Sequence, residues 1–301
     1  MSASPSEIAG HLSILDPGPL TTVQDDGRPG LASLGIGASG AADRGSFRLA
    51  NRLVGNREDD ATLEVTLGGL VASADRDLLI AVTGAPCPIT VADIEYGTNS
   101  PILARAGQRL ALGAPASGMR SYLAVRGGIR VPEVLGSRST DILAGIGPDP
   151  LKHGDVVPIG APYGPQPELD VAAVRAPPGT ELTLLVRAGP RDDWFTAAAM
   201  HALLEGRYEV TGQSNRVGMR LSGPELRRSR TDELPSEGMV LGALQVSPSG
   251  QPTLFLADHP VTGGYAVIAV VDRDDVDRAA QARPGQHLQF RRAGTFAESR
   301  S

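Results

Sequence analysis

Four stretches of the chain gather side chains able to handle protons or anions. The first is "TTVQDDGRPG" (21–30), where Gln24, Asp25, Asp26 and Arg28 surround one glycine. A planar guanidinium offers paired donors to a carboxylate or phosphate, and an aspartate accepts a proton or orients a water. The same residue types also decorate ordinary solvated turns, and Asp26-Gly27 has the composition of a tight turn. This stretch alone leaves both readings open. The second, "LADHPVTGGY" (256–265), brings Asp258, His259, Thr262, Gly263, Gly264 and Tyr265 to the end of an apolar run. Glycine turns at strand ends let backbone N–H groups approach an anion. A plain hairpin with a capping aspartate fits the residues equally well.

The third stretch, "EGMVLGALQV" (237–246), sets Gln245 between apolar residues, where a buried amide needs a partner. The fourth, "GQSNRVGMRLSG" (212–223), offers Ser214, Asn215, Arg216 and Arg220. Arg216 reads as an anion contact or as an exposed arginine. "GSRSTD" (136–141) adds one more arginine among hydroxyls. No Gly-x-Ser-x-Gly elbow occurs, so a serine-esterase reading has no support. Cys87 is the only cysteine and sits between two prolines, which points to an inert thiol and excludes an intrachain disulfide. No metal site is expected.

These groups need elements to hold them. "LTTVQ" reads as a strand ending in the "DDG" turn. Residues 41–56 read as a helix capped by Asp43, with Ser46 three residues on and Phe47, Ala50, Leu53 and Val54 on one face. A second helix is expected over 191–206, with Trp194, Ala197, Ala198 and His201 aligned, and a third over 272–282. Between them run strands such as 61–67, 77–84, 181–189, 253–258, 265–271 and 287–292. Residues 1–10 read as a loose tail. The proline-rich segment 161–180 reads as a connector between an N-terminal lobe, 11–165, and a C-terminal lobe, 178–292. A faint echo, Gly118-Met119-Arg120 against Gly218-Met219-Arg220, suggests related lobes.

Composition agrees with a turn-rich, mainly β chain: 301 residues include 37 glycines and 24 prolines, with no collagen-like period. Hydrophobic residues make up 41% and charged residues 21%, as in a globular protein. Net charge is −6, and Lys152 is the only lysine, so no basic face for nucleic acid is expected. The N-terminus lacks the pattern of a signal peptide and the apolar runs are too short to span a bilayer. A cytoplasmic protein that avoids membranes is expected.

Read in order, "GPLTTVQDDGRPG", "GASGAADRGSFRLANRLVGN", "ATLEV", "GMRSYLAVRGG", "LGSRSTD", "SNRVGMRLSG", "EGMVLGALQVSPSGQP" and "LADHPVTGGYAVIAVV" resemble the family of 5-oxoprolinase C-type subunits, also described as the KipA or biotin-dependent carboxyltransferase-like family. The resemblance covers about residues 14–292. It implies two cyclophilin-like β-barrel lobes with a few short helices. It implies one component of an ATP-dependent 5-oxoprolinase that hydrolyses 5-oxo-L-proline to L-glutamate, active with partners. Those partners are a B-type or KipI-like protein and a larger A-type protein of the same complex. ATP with magnesium is implied for the complex, and biotin is not expected on this chain. Other family roles are a carboxyltransferase component using carboxybiotin from a partner and an antagonist that binds a KipI-type kinase inhibitor. By motif, the resemblance points to Asp25, Arg28, Arg216 and Asp258 for catalysis. Gln24, Asp43, Gln245, Thr262, Gly263, Gly264 and Tyr265 would contact substrate. Ala266 stands where the family often has proline.

Overall fold

A computed structural model describes residues 8–168, 170–174, 177, 179–230 and 232–294. The first residue of the expected C-terminal lobe, Pro178, lies outside them, as do residues 1–7 of the expected tail. Residues 8–10 are strand rather than tail, because Gly10 is buried and Ile8 pairs with Gly160. The chain forms two compact units: Met1–Leu31 with Ala38–Pro177, and Ala32–Gly37 with Pro178–Ser301.

The first unit contains β1 (Ile8–Pro17), β2 (Leu20–Gln24), helix α1 (Arg44–Leu53), β3 (Thr62–Thr66), β4 (Leu70–Ala74), β5 (Leu78–Gly84), β6 (Ile89–Val91), β7 (Ile94–Tyr96), β8 (Pro101–Ala104), β9 (Arg109–Leu112), β10 (Arg120–Val125) and β11 (Val156–Gly160). They make a six-stranded sheet, ordered β11-β1-β4-β9-β6-β7, and a five-stranded sheet, ordered β2-β3-β10-β5-β8. Leu12, Ile14, Leu70 and Ile89 of the first sheet share a core with Val23, Leu63, Val65 and Leu123 of the second. The opposite face of the second sheet packs on α1, through Phe47, Ala50, Leu53, Ala81, Tyr122 and Ala124. Both β3 and β10 are therefore buried along their whole length. Period-two alternation sends odd-numbered apolar residues to the core and puts Thr22, Gln24, Thr62, Glu64 and Tyr122 on the helix side.

The second unit contains β12 (Glu181–Ala188), α2 (Ala197–Glu205), β13 (Tyr208–Val210), β14 (Gly218–Ser222), β15 (Glu237–Gly238), β16 (Ala243–Val246), β17 (Pro252–Phe255), β18 (Thr262–Gly263), β19 (Val267–Val271), α3 (Arg273–Ala279) and β20 (His287–Arg292). Seven strands close a barrel in the order β12-β19-β16-β17-β14-β13-β20. The parallel pairing of β12 with β20 completes the ring, and β15 with β18 forms a separate ribbon. The fold is thus mainly β with one closed seven-stranded barrel. A second closed barrel is not formed among the described residues, where the first unit's strands lie in two sheets.

Local signals explain the helices. Asp43 accepts from the Ser46 N–H at 2.9 Å and from the Ser46 hydroxyl at 2.7 Å, so α1 starts where the cap dictates. The second helix starts later than its sequence suggests. Residues Asp192–Trp194 form a 3-10 turn, and Thr196 caps α2 through the Ala199 N–H. Ala199 and Leu203 then face the core, while His201 is exposed beside Glu205. The "DDG" segment is not a hairpin either. Strand β2 pairs with β3, and residues 25–28 instead fold against 38–41. Gly27 has φ of +83°, and a Cβ there would lie 2.4 Å from the Ala38 carbonyl oxygen. No described helix is long and apolar enough to cross a membrane.

Candidate functional site

Beyond Gln24, the end of β2, the chain enters a polar cluster built with loop 137–141. Asp25 is buried, and its carboxylate is fully used. Oδ1 accepts from the Ser137 hydroxyl (2.6 Å), the Ser139 hydroxyl (2.5 Å) and the Gly27 N–H (2.8 Å). Oδ2 accepts from the Arg138 N–H at 2.6 Å. The Asp25 N–H in turn donates to the Ser139 hydroxyl at 3.0 Å. These bonds tie Asp25 to loop 137–139.

Arg28 presents the opposite case. It is 2% exposed, and its Nη2 donates to the Ser139 carbonyl at 2.5 Å. Its Nε and Nη1 are buried with no hydrogen-bond partner among the described residues. Buried guanidinium groups are normally matched by carboxylates, and here two of the donors are left without a protein acceptor among the described residues. Beside it, the Gln24 side-chain nitrogen donates to Thr22 Oγ1 and to the Thr140 carbonyl, both at 3.0 Å. Gln24 Oε1, Thr62 Oγ1 and Thr140 Oγ1 are likewise buried without partners among the described residues. The cluster therefore holds unused donors and acceptors together, the mixture that a polar substrate requires.

A second network lies on the α1 side of the same sheet. The Tyr122 hydroxyl donates to Glu64 Oε2 at 2.8 Å and accepts from the Asp43 N–H at 2.8 Å. The Ala42 N–H also donates to Glu64 Oε2, and the Arg120 guanidinium lies 3.5 Å from Glu64 Oε1. Burial, then the charges of Glu64 and Asp43, hold the Tyr122 phenol well above its ordinary pKa. Asp43, which the resemblance names as a substrate contact, caps α1 as its sequence position predicts. The sequence singles out neither Glu64 nor Tyr122, and Arg120 only through the Gly-Met-Arg echo, although a carboxylate between Leu63 and Val65 in a fully buried strand demands a partner.

In the second unit Arg216 and Asp258 form a closed pair. Nε to Oδ2 and Nη2 to Oδ1 are both 2.9 Å, and both side chains are at most 1% exposed. Backbone pairing reinforces it: the Asp258 N–H donates to the Arg216 carbonyl at 3.0 Å. Gln245 donates to the Tyr265 carbonyl at 3.1 Å. Gly263 fits because a Cβ there would lie 2.5 Å from Gln245 Nε2. Thr262, Gly264 and Tyr265 are exposed on the β15–β18 side of the barrel. The ribbon is tied down by Arg191, which grips Glu237 with two nitrogens and lowers the pKa of that carboxyl. The Gly-Met-Arg echo does not extend to chemistry, for Arg120 is buried beside Glu64 while Arg220 is exposed. Among the described residues no group of three His, Cys, Asp or Glu is placed to hold a metal.

The chain has relatives along nearly its whole length. Residues 34–292 match the family described as carboxyltransferase domain, subdomain A and B. The chain is 40% identical to the C-type subunit of Escherichia coli 5-oxoprolinase, over 93% of this chain and 90% of that protein. The crystallised protein TTHA0988 superposes with a TM-score of 0.86 at 37% identity, over 96% of this chain and 57% of the other. The K. lactis urea amidolyase superposes equally well, with a TM-score of 0.86 at 31% identity, but this chain spans only 19% of it. With the match running from residue 34 to residue 292, the chain belongs to the carboxyltransferase subdomain A and B family.

Proposed function

We propose that this chain is the C-type subunit of a 5-oxoprolinase, acting with B-type and A-type partners to open 5-oxo-L-proline to L-glutamate with ATP hydrolysis. The supporting observation is the 40% identity to the Escherichia coli C-type subunit across nine-tenths of both chains. The urea amidolyases match over only 16% of their length, as one part of a longer protein. The lobes 11–165 and 178–292 are read as two versions of one barrel plan, the first opened into two sheets. A reaction that draws on ATP favours a cytoplasmic complex.

ATP would supply the phosphoryl group that activates the lactam oxygen; water adds to the lactam carbon, the ring C–N bond breaks as its nitrogen takes up a proton, and the resulting acyl phosphate is hydrolysed to L-glutamate and phosphate. The Arg28 donors without a partner among the described residues fit an anion rather than a cation such as magnesium. The phosphorylated oxygen carries negative charge through water attack and C–N cleavage, and preorganised donors in a dry site stabilise that charge. Arg28 is assigned this role, through Nε and Nη1. Gln24 Oε1 and the Thr62 and Thr140 hydroxyls receive the polar edge of the ring. Asp25 is a positioning residue that holds the Ser139 carbonyl, and hence Arg28, in place. Within the second unit the Arg216–Asp258 pair fixes its own loop, and Gln245 and Thr262–Tyr265 are the residues there that the resemblance assigns to substrate contact.

The test is reconstitution with the two partner proteins. Glutamate and ADP should form only when 5-oxoproline, ATP and this chain are all present. Carboxyl transfer from carboxybiotin without glutamate formation would overturn the reading. So would a tight complex with a KipI-type partner that turns nothing over.

A further inference from the structure

A separate cavity of about 450 Å³ opens in the first unit, lined in part by Arg138, whose backbone N–H holds Asp25. Arg57, Asp59, Asp60, Arg130, Glu133 and Arg138 line it, with Tyr163 at its edge. Its volume suits a small metabolite. The lining is charge-balanced, three guanidinium groups against three carboxylates, arranged as ion pairs. Arg57 meets Asp59 at 3.1 Å, Arg130 meets Asp60 at 3.1 Å and Arg138 meets Glu133 at 2.6 Å.

The pairs are not equivalent. Asp60 is buried, accepts from the Arg57 N–H at 3.0 Å and lies 3.4 Å from the Tyr163 hydroxyl. Arg130 stacks over the Tyr163 ring at 5.6 Å. That inner pair is a fixed floor. The outer acids are open to solvent, with Asp59 50% and Glu133 46% exposed. Arg138 is only 20% exposed, but its partner Glu133 is open to solvent, and ion pairs with an exposed partner contribute little net stability, so a ligand can compete for the pair at small cost. A simple anion would release Glu133 or Asp59 without a counter-charge, and a simple cation would do the same to an arginine. A ligand carrying both charges satisfies each freed group.

We infer that this cavity binds a small zwitterion of the α-amino-acid type, its carboxylate on Arg138 and its ammonium on Glu133. The occupant also acts on the Asp25–Arg28 cluster. Residues 137–139 alternate sides: the Ser137 and Ser139 hydroxyls and the Arg138 N–H hold Asp25, while the Arg138 side chain reaches the Val131 carbonyl (2.9 Å) and Glu133 on the cavity side. The Ser139 carbonyl is also the acceptor for Arg28. A ligand that pulls Arg138 from Glu133 therefore pulls on the peptide that fixes Arg28. Binding here stands apart from the proposed reaction, because its test needs no turnover.

Calorimetric titration of the full chain with glycine, L-alanine, L-glutamate and succinate tests the binding. The amino acids should bind and succinate should bind more weakly. Glu133→Gln should weaken the amino acids about tenfold and strengthen succinate, since the lining then carries a net positive charge. Hydrogen exchange of the segment around Arg138 should change on adding L-alanine to wild type. Heat from succinate but not from the amino acids, or amino-acid binding indifferent to Glu133→Gln, would overturn the site. Binding with unchanged exchange around Arg138 would overturn the coupling to Asp25.

Discussion

Arg28 and Arg216 are equally buried, at 2% and 1%, yet only Arg216 has its carboxylate. That difference sets opposite expectations for Arg28→Met and Arg216→Met. Removing Arg216 strands the Asp258 carboxylate in the interior, which costs about 3–5 kcal/mol for a buried pair. Removing Arg28 forfeits one charge-assisted hydrogen bond to the Ser139 carbonyl, about 1.5–3 kcal/mol. It also removes the desolvation penalty of an unpaired buried charge, several kcal/mol after relaxation. The two nearly cancel, so Arg28→Met should lie within about 1 kcal/mol of wild type. Urea denaturation reads the contrast. With a slope of about 1–3 kcal/mol per molar, Arg216→Met should lower the midpoint by roughly 1 M or more. The single tryptophan, Trp194, reports that loss because it is buried in the same unit. Arg28→Met, followed by far-ultraviolet circular dichroism, should leave the midpoint nearly unmoved. Equal losses in the two variants would mean that Arg28 has a partner of its own, and its assignment to an anion would fall.

Asp43→Ala removes both bonds to Ser46 and should destabilise the protein by about 0.5–2 kcal/mol in the same assay, with turnover retained in the complex. Ser139→Ala deletes a donor to Asp25 and should cost about 1–3 kcal/mol. It should also slow turnover, a loss that a purely structural serine would not add. At high pH the buried phenols dominate. Burial raises Tyr208, and burial with Glu64 and Asp43 raises Tyr122, above the ordinary value of 10. The unfolded phenols ionise first, so this contribution is intact below about pH 10 and lost as pH climbs beyond it. The decline in stability above pH 10 should be shallower in Tyr122→Phe, and an unchanged slope would contradict the linkage.

Several features of the fold were legible because local chemistry decides them. The Asp43 cap and the apolar stripe of Phe47, Ala50 and Leu53 define α1 from sequence alone. "LTTVQ" is β2 because alternation and β-branching agree. The surroundings of the "DDG" turn were not legible for a physical reason: Gly27 supplies a positive φ, but the backbone it approaches belongs to residues 38 and 39. A single sequence cannot show which distant loop will fill that space. The start of α2 shifted because Thr196 caps it through the Ala199 N–H, while Asp192–Trp194 form a 3-10 turn ahead of it. Site residues were legible as types but not as states. Nothing in "QDDGR" distinguishes a saturated Asp25 from an unpaired Arg28, since both states depend on Ser137 and Ser139, more than a hundred residues away.

The most direct test of the functional account is the turnover of the reconstituted complex carrying Arg28→Met. The variant should assemble with both partners and fold as stably as wild type. Its glutamate formation from 5-oxoproline and ATP should fall by roughly 100-fold or more, the usual effect of deleting one anion-stabilising donor. Wild-type turnover in an assembled Arg28→Met complex would contradict the account.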